Sequence, residues 1–151
     1  MIIYTDGACS GNGSESATGG FGVVVLDDNE NIIETYRESA KGTTNNRMEL
    51  SAILWALAKY GDKNPIVYSD SAYSVNTLTN WMFGWQKNGW VKSNNQSPEN
   101  LDLIKIYYTL WERGYRIQLI KVRGHAGNKW NELADKLATG QIHRKEKVLC
   151  Q

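Results

Sequence analysis

Two short apolar runs that each end in an aspartate constrain this chain more than any other feature: Ile2-Ile3-Tyr4-Thr5-Asp6-Gly7 and Pro65-Ile66-Val67-Tyr68-Ser69-Asp70. β-Branched and aromatic residues that close on an acid read as buried strands whose carboxyl ends deliver that acid into a loop. In open α/β sheets, sites lie outside the carboxyl ends of strands. An aspartate can also merely cap a turn, and taken alone that accounts for either one. What decides is whether further acids reach the same edge.

The segments around these runs give the organisation. Residues 8–20 are small and polar, which predicts a flexible loop with little to obstruct a backbone approach to a ligand. Residues 21–26 read as a strand, 27–31 as its turn and 32–39 as a partner strand, so three antiparallel strands open the chain. Thr44 and Asn45 are capping types, and Leu50, Ile53, Leu54, Leu57 and Ala58 follow at helical spacing up to Gly61. Glu49 falls in or near the first turn of that helix, where the helix dipole alone would explain it. Residues 71–79 predict a short helix. Ser97-Pro98-Glu99 predicts the start of another, which ends at Gly114, and residues 116–122 read as the last strand. A final helix runs from an Asn128 cap to Gly140, with Trp130, Ala134, Leu137 and Ala138 as its apolar stripe. Glu132, Asp135 and Thr139 share another face, where Asp135 also reads as a plain surface acid.

At 151 residues and 41% hydrophobic composition, the chain suits one domain able to bury its own core. No basic region followed by an apolar run opens it, and no stretch is long enough to span a membrane. A cytoplasmic protein with no membrane partner is expected. Cys9 and Cys150 lack zinc-ligand spacing and suit a reduced compartment. The formal charge of +1 hides an asymmetry: residues 1–112 are acidic, residues 113–151 basic. A basic end can mark a polyanion partner or a solvated surface. Trp81, Trp85 and Trp90 fall within ten positions, beside Lys87 and Lys92. That stretch suits core packing or a platform for nucleic acid, since aromatic faces among positive charges fit bases and backbone.

Asp6 and Asp70 end two neighbouring strands, Glu49 opens a helix, and Asp135 lies about a turn into another, a layout that permits convergence. Four carboxylates packed together repel one another, and a hard divalent cation removes the repulsion. Acids without Cys/His clusters favour Mg²⁺ or Mn²⁺ over zinc. Two such ions about 4 Å apart can activate water on one side of a phosphodiester and stabilise the leaving oxygen on the other.

Five separated motifs then agree in order. Tyr4-Thr5-Asp6-Gly7, Thr44-Asn45-Asn46-Arg47-Met48-Glu49, Tyr68-Ser69-Asp70-Ser71, the stretch from Trp81 to Trp90, and Val122-Arg123-Gly124-His125-Ala126-Gly127 with Asn131-Glu132-Leu133-Ala134-Asp135 together resemble type 1 ribonuclease H, over residues 2 to about 140. The resemblance implies an α/β RNase H-like fold: a five-stranded mixed sheet in the order 3-2-1-4-5 with helices on both faces. It implies an endoribonuclease that cuts the RNA strand of RNA–DNA hybrids, leaves 5′-phosphate and 3′-hydroxyl ends, and works as a monomer. By motif match, Asp6, Glu49, Asp70 and Asp135 would hold two Mg²⁺ ions, with Mn²⁺ as a substitute, and His125 would move protons or assist product release. Cys9, Asn12, Asn45 and Asn46 would read the RNA strand, while Tyr73, Trp81 and Trp85 would line the DNA groove with Thr44 near a DNA phosphate. Residues 1–140 would form the catalytic domain and 141–151 a basic tail.

The match has departures. Asn12-Gly13 stands for the usual Asn-Pro-Gly, Ala72 for a frequent Gln and Gly84 for a frequent Asn. With only Lys87 and Lys92 in the Trp-rich stretch, modest and strongly salt-dependent hybrid affinity is expected. Two rivals have their own signatures. A non-catalytic hybrid-binding module would lack an acid, and none is missing. Another nuclease or integrase of the wider superfamily would lack the Thr-Asn-Asn-Arg-Met-Glu helix and the Trp-rich stretch.

Overall fold

The computed structural model describes residues 1–123 and 128–141. Five strands form one sheet in the order β3-β2-β1-β4-β5: β1 Ile2–Ser10, β2 Thr18–Leu26, β3 Ile32–Lys41, β4 Ile66–Ser69 and β5 Gln118–Lys121. β1, β2 and β3 pair antiparallel, whereas β4 is parallel to β1 and β5 parallel to β4. The expected strand order and mixed directions are both present. Parallel neighbours need a crossover, and α1 (Asn45–Tyr60) and α4 (Leu101–Glu112) supply the helical segments between them. Thr44 caps α1 by accepting the Arg47 N–H at 3.1 Å.

Alternation along the strands divides the core into two faces. Ile3, Val23, Val25 and Val67 pack with Met48, Ala52 and Ala56 of α1. Tyr4, Val24 and Leu26 turn the other way, onto Ala134 and Leu137 of α5 (Lys129–Ala138). A third cluster joins Leu50, Ile53 and Leu57 of α1 to Leu78, Met82, Ile104 and Tyr107. Helices therefore cover both faces. Among the described residues, no helix is long and apolar enough to cross a membrane.

Four local expectations need correction. Residues 8–10 and 18–20 are not loop: Ala8, Cys9 and Ser10 continue β1 against Gly20, Gly19 and Thr18. Small side chains read as loop in the sequence, yet they let α5 lie directly on this hairpin, because a Cβ on Gly20 would stand 2.5 Å from Ala138 O. The helix expected over 71–79 continues, as α2 (Ala72–Asn76), a π-helical turn Thr77–Trp81 and α3 (Met82–Lys87). α4 starts at Leu101 after Asn100, whose φ of 58° gives a turn in place of a start at Ser97-Pro98-Glu99. The final strand is confined to Gln118–Lys121 within the expected 116–122.

Candidate active site

The β1–β4 pairing places the first two acids. Tyr4 faces Tyr68 at the last paired rung, and their rings stack at 5.0 Å. Asp6 and Asp70 each lie two residues beyond that rung, where the two strands part. The Thr5 hydroxyl donates to Tyr68 O at 3.1 Å and ties the strands together just before the gap. Asp70 is followed by Ser71, whose N–H donates to Ser69 Oγ at 3.1 Å and whose side chain caps α2.

α1 brings the third acid. Glu49 is the fifth residue of the helix and is only 8% exposed, so the dipole explanation for an exposed first-turn acid does not apply. Ligand oxygens of Asp6, Glu49 and Asp70 all lie within 4.8 Å of one another. Asp6 is 7% exposed and accepts one stabilising hydrogen bond at Oδ1, from the Gly7 N–H at 3.0 Å. Glu49 Oε1 is buried with no hydrogen-bond partner.

Asp135 arrives from the opposite face. α5 is fixed at its start, where Asn128 accepts the N–H groups of Trp130 and Asn131 and donates to Tyr4 OH at 3.3 Å. It is fixed again at its end by Arg37 Nε, which donates to Leu137 O at 2.9 Å. This clamp sets the Asp135 carboxyl against that of Asp6.

The electrostatics follow from burial. Loss of solvent, then the charge of Asp70, then a hydrogen bond and charge from Asp135 push the Asp6 carboxyl up to about 8. Burial, followed by the charges of Asp6 and Asp70, pushes Glu49 up to about 10. Among the described residues, no ion pair reaches any of these acids. Buried carboxylates without cationic partners are costly unless they are protonated or bind metal. An all-oxygen set with one orphaned buried oxygen fits a hard divalent cation.

The expected substrate residues fall into two groups. Cys9 and Asn12 lie against the start of α1: Cys9 Sγ is 3.4 Å from Thr43 O, and Asn12 Oδ1 accepts the Asn45 N–H at 2.7 Å. Thr44, Asn45 and Asn46 belong to the same helix start. Tyr73, Trp81 and Trp85 line a separate cavity of about 270 Å³ with Lys92 and Glu99. Trp81 is 43% exposed, whereas Trp85, whose ring is 6.2 Å away, and Trp90 pack against the core, so of the three only Trp81 stands clear of it. His125 lies outside the described residues.

Some participants carried no readable signal. Asn100 donates to Tyr73 OH at 3.2 Å, and Arg47 reaches Asn100 at 3.4 Å while forking onto Asp102 at 3.0 and 2.7 Å. Asn100 and Tyr73 are 27 residues apart and Arg47 is more than 50 from both of its partners, and only the opposite charges of Arg47 and Asp102 could have hinted at a pairing.

A family model described as RNase H matches residues 1–143. A ribonuclease H of Acetivibrio thermocellus is 43% identical over 150 residues, covering 97% of each chain. One of Syntrophomonas wolfei is 45% identical, covering 94% of this chain and 95% of its own. Among solved structures, LC9-RNase H1, a type 1 RNase H with the type 2 active-site motif, superposes with a TM-score of 0.76 at 32% identity, covering 92% of this chain and 70% of that one.

Proposed function

The chain belongs to the RNase H family, and from that premise we propose that it hydrolyses the RNA strand of RNA–DNA hybrids as a Mg²⁺-dependent endoribonuclease. The observation that carries this reading is the gathering of Asp6, Glu49 and Asp70 oxygens within 4.8 Å, with Glu49 Oε1 buried and unpartnered. A pair of Mg²⁺ ions bound there, replaceable by Mn²⁺, would supply an activated water and stabilise the departing oxygen, giving 5′-phosphate and 3′-hydroxyl ends.

The protein's own residues then have separate tasks. Asp6, Glu49, Asp70 and Asp135 hold the metal. The Gly7 N–H orients Asp6. His125 carries protons or helps product leave, since an imidazole titrates in the working range. Cys9, through its backbone, and Asn12, Asn45 and Asn46 address the 2′-hydroxyls, the groups that separate RNA from DNA. The Asn12–Asn45 hydrogen bond supports this by joining two of them before substrate arrives. Tyr73, Trp81 and Trp85 take the DNA strand by stacking on sugars and bases, with Thr44 near a DNA phosphate. Backbone and shape contacts of this kind imply little sequence preference. Residues 1–140 form the catalytic domain of a monomeric, cytoplasmic protein, with 141–151 as a basic tail.

Incubating the purified protein with end-labelled RNA–DNA hybrid, duplex RNA and duplex DNA tests the proposal. Cleavage of the RNA in the hybrid alone, dependent on Mg²⁺ and abolished by EDTA, is expected. An intact hybrid, or equal cutting of all three duplexes, would overturn it.

A further inference from the structure

We infer that a cavity beside the end of α5 is a subsite for a backbone phosphate of the RNA strand flanking the cleaved bond, with Arg37 as its charged ligand. The inference rests on the hybrid-cleaving reading above. Along β1, Tyr4 packs on α5, and Asp6, Ala8 and Ser10 follow on the same face at two-residue steps. Ala8 and Ser10 line a half-open cavity of about 320 Å³, which Ala138 and Thr139 close at the other side. Thr139 is one turn beyond Asp135 and donates to its carbonyl at 3.0 Å. At about 3.3 Å per residue the cavity lies roughly 7–13 Å from Asp6, within reach of a neighbouring phosphate of a strand cut at Asp6.

The lining chemistry suits an oxyanion. Cys9, Ser10, Thr18, Arg37, Ser39 and Thr139 are its polar members, and no carboxylate is among the described lining residues. Arg37 and Ser39 stand on β3 opposite Gly22 and Gly20 of β2, so no β2 side chain comes between them and the cavity. Nε of Arg37 is committed to Leu137 O, which holds the guanidinium plane. Its two Nη groups have no hydrogen-bond partner among the described residues. A planar fork that is fixed at one nitrogen and open at two is preorganised for bidentate phosphate binding. A helix clamp alone would need one N–H and no cavity.

The cavity's position selects the strand. It shares Cys9 with the RNA-facing group, whereas the aromatic cavity assigned to the DNA strand is built from α2, the π-helical turn, α3 and the segment after them. The acids beside it also repel a polyanion, and Arg37, which shares a rung with Asp6 through Gly22, offsets that locally.

The test measures hybrid binding by the full chain in an Asp70→Asn background, so that substrate survives. Arg37→Gln keeps a donor for the Leu137 carbonyl and removes the charge; Arg37→Lys keeps the charge. For Arg37→Gln we expect about tenfold weaker binding and a slope of log Kd against log salt reduced by about one phosphate contact, roughly 0.7–0.9. Arg37→Lys should keep the parental slope. A single neutral methylphosphonate one or two phosphates from the scissile bond in the RNA strand should weaken the parent about as much, and should add nothing to Arg37→Gln. An unchanged slope, additive losses, or coupling to a DNA-strand phosphate would overturn the subsite. A parent that binds no hybrid at all would overturn the underlying reading and the subsite with it.

Discussion

Gly7 lies against the backbone of Glu49, so close that a Cβ on Gly7 would stand 2.4 Å from Glu49 N and 2.6 Å from Met48 C. The Asp6-Gly7 pair therefore does two jobs in two residues. It supplies an acid, and it leaves the space through which α1 brings a second acid up to the first.

Gly7→Ala should displace the first turns of α1, because the obstructing atoms are backbone and cannot rotate away. Overpacking of this kind costs about 1–3 kcal/mol, which denaturant unfolding would measure. Hydrolysis should fall further than stability, since Glu49 moves with the helix. A variant with unaltered activity would show that Glu49 tolerates displacement.

Asp6→Asn should stabilise the metal-free protein by about 1–2 kcal/mol, a rise of several degrees in Tm in EDTA, because it removes one member of a mutually repelling, buried set. It should also shrink the Tm increase that Mg²⁺ gives the unmodified protein, an increase worth about 2.7 kcal/mol at a hundredfold excess over Kd. Thermal melts with EDTA and with Mg²⁺ check both. A destabilised variant in EDTA would mean that the Asp6 carboxylate is a net structural asset.

The pH dependence has a definite sign. Asp6 and Glu49 sit at about 8 and about 10 in the folded protein, above their ordinary values of 3.8 and 4.5. The metal-free native state thus retains protons that the unfolded chain has lost. Stability in EDTA should be highest with respect to these groups below about pH 4. It should fall as pH climbs through about 8 and on towards 10. Asp27 and Asp102, held below the usual carboxylate range by their partners, act only under more acidic conditions. Apparent Mg²⁺ affinity should rise across the same window, since protons and metal compete. Unfolding in EDTA between pH 5 and 9 that showed stability increasing with pH would contradict this.

Trp81→Ala should weaken hybrid binding by about tenfold or more, given ~1–3 kcal/mol per stacked base. KM should carry most of the effect, because Trp81 lines a cavity apart from the acids. Equal affinity for both proteins in a binding titration would return Trp81 to the ordinary surface.

The sequence makes some of this site legible and hides the rest for physical reasons. Asp6 and Asp70 could be placed because each ends an apolar run, and the parallel β1–β4 pair then sets them two residues past one rung. Glu49 was visible as a helix-start acid, but its burial was not, since that depends on a missing side chain at Gly7. The extended conformation of Ala8–Ser10 was masked by residues small enough to read as loop. The π-helical turn Thr77–Trp81 leaves no periodic trace, and Arg37 is one lysine-or-arginine position among many until α5 is laid beside it. The fold follows from periodicity, whereas the clamps follow from contacts between distant segments.

The most direct measurement compares hybrid hydrolysis by the unmodified protein and by Asp70→Asn across a Mg²⁺ titration, with hybrid binding measured alongside. Loss of cleavage by about 10³-fold or more at every Mg²⁺ concentration, with binding largely retained, is expected of an acid that holds the metal. Comparable cleavage by the two proteins would contradict the claim that these convergent carboxylates form the catalytic centre.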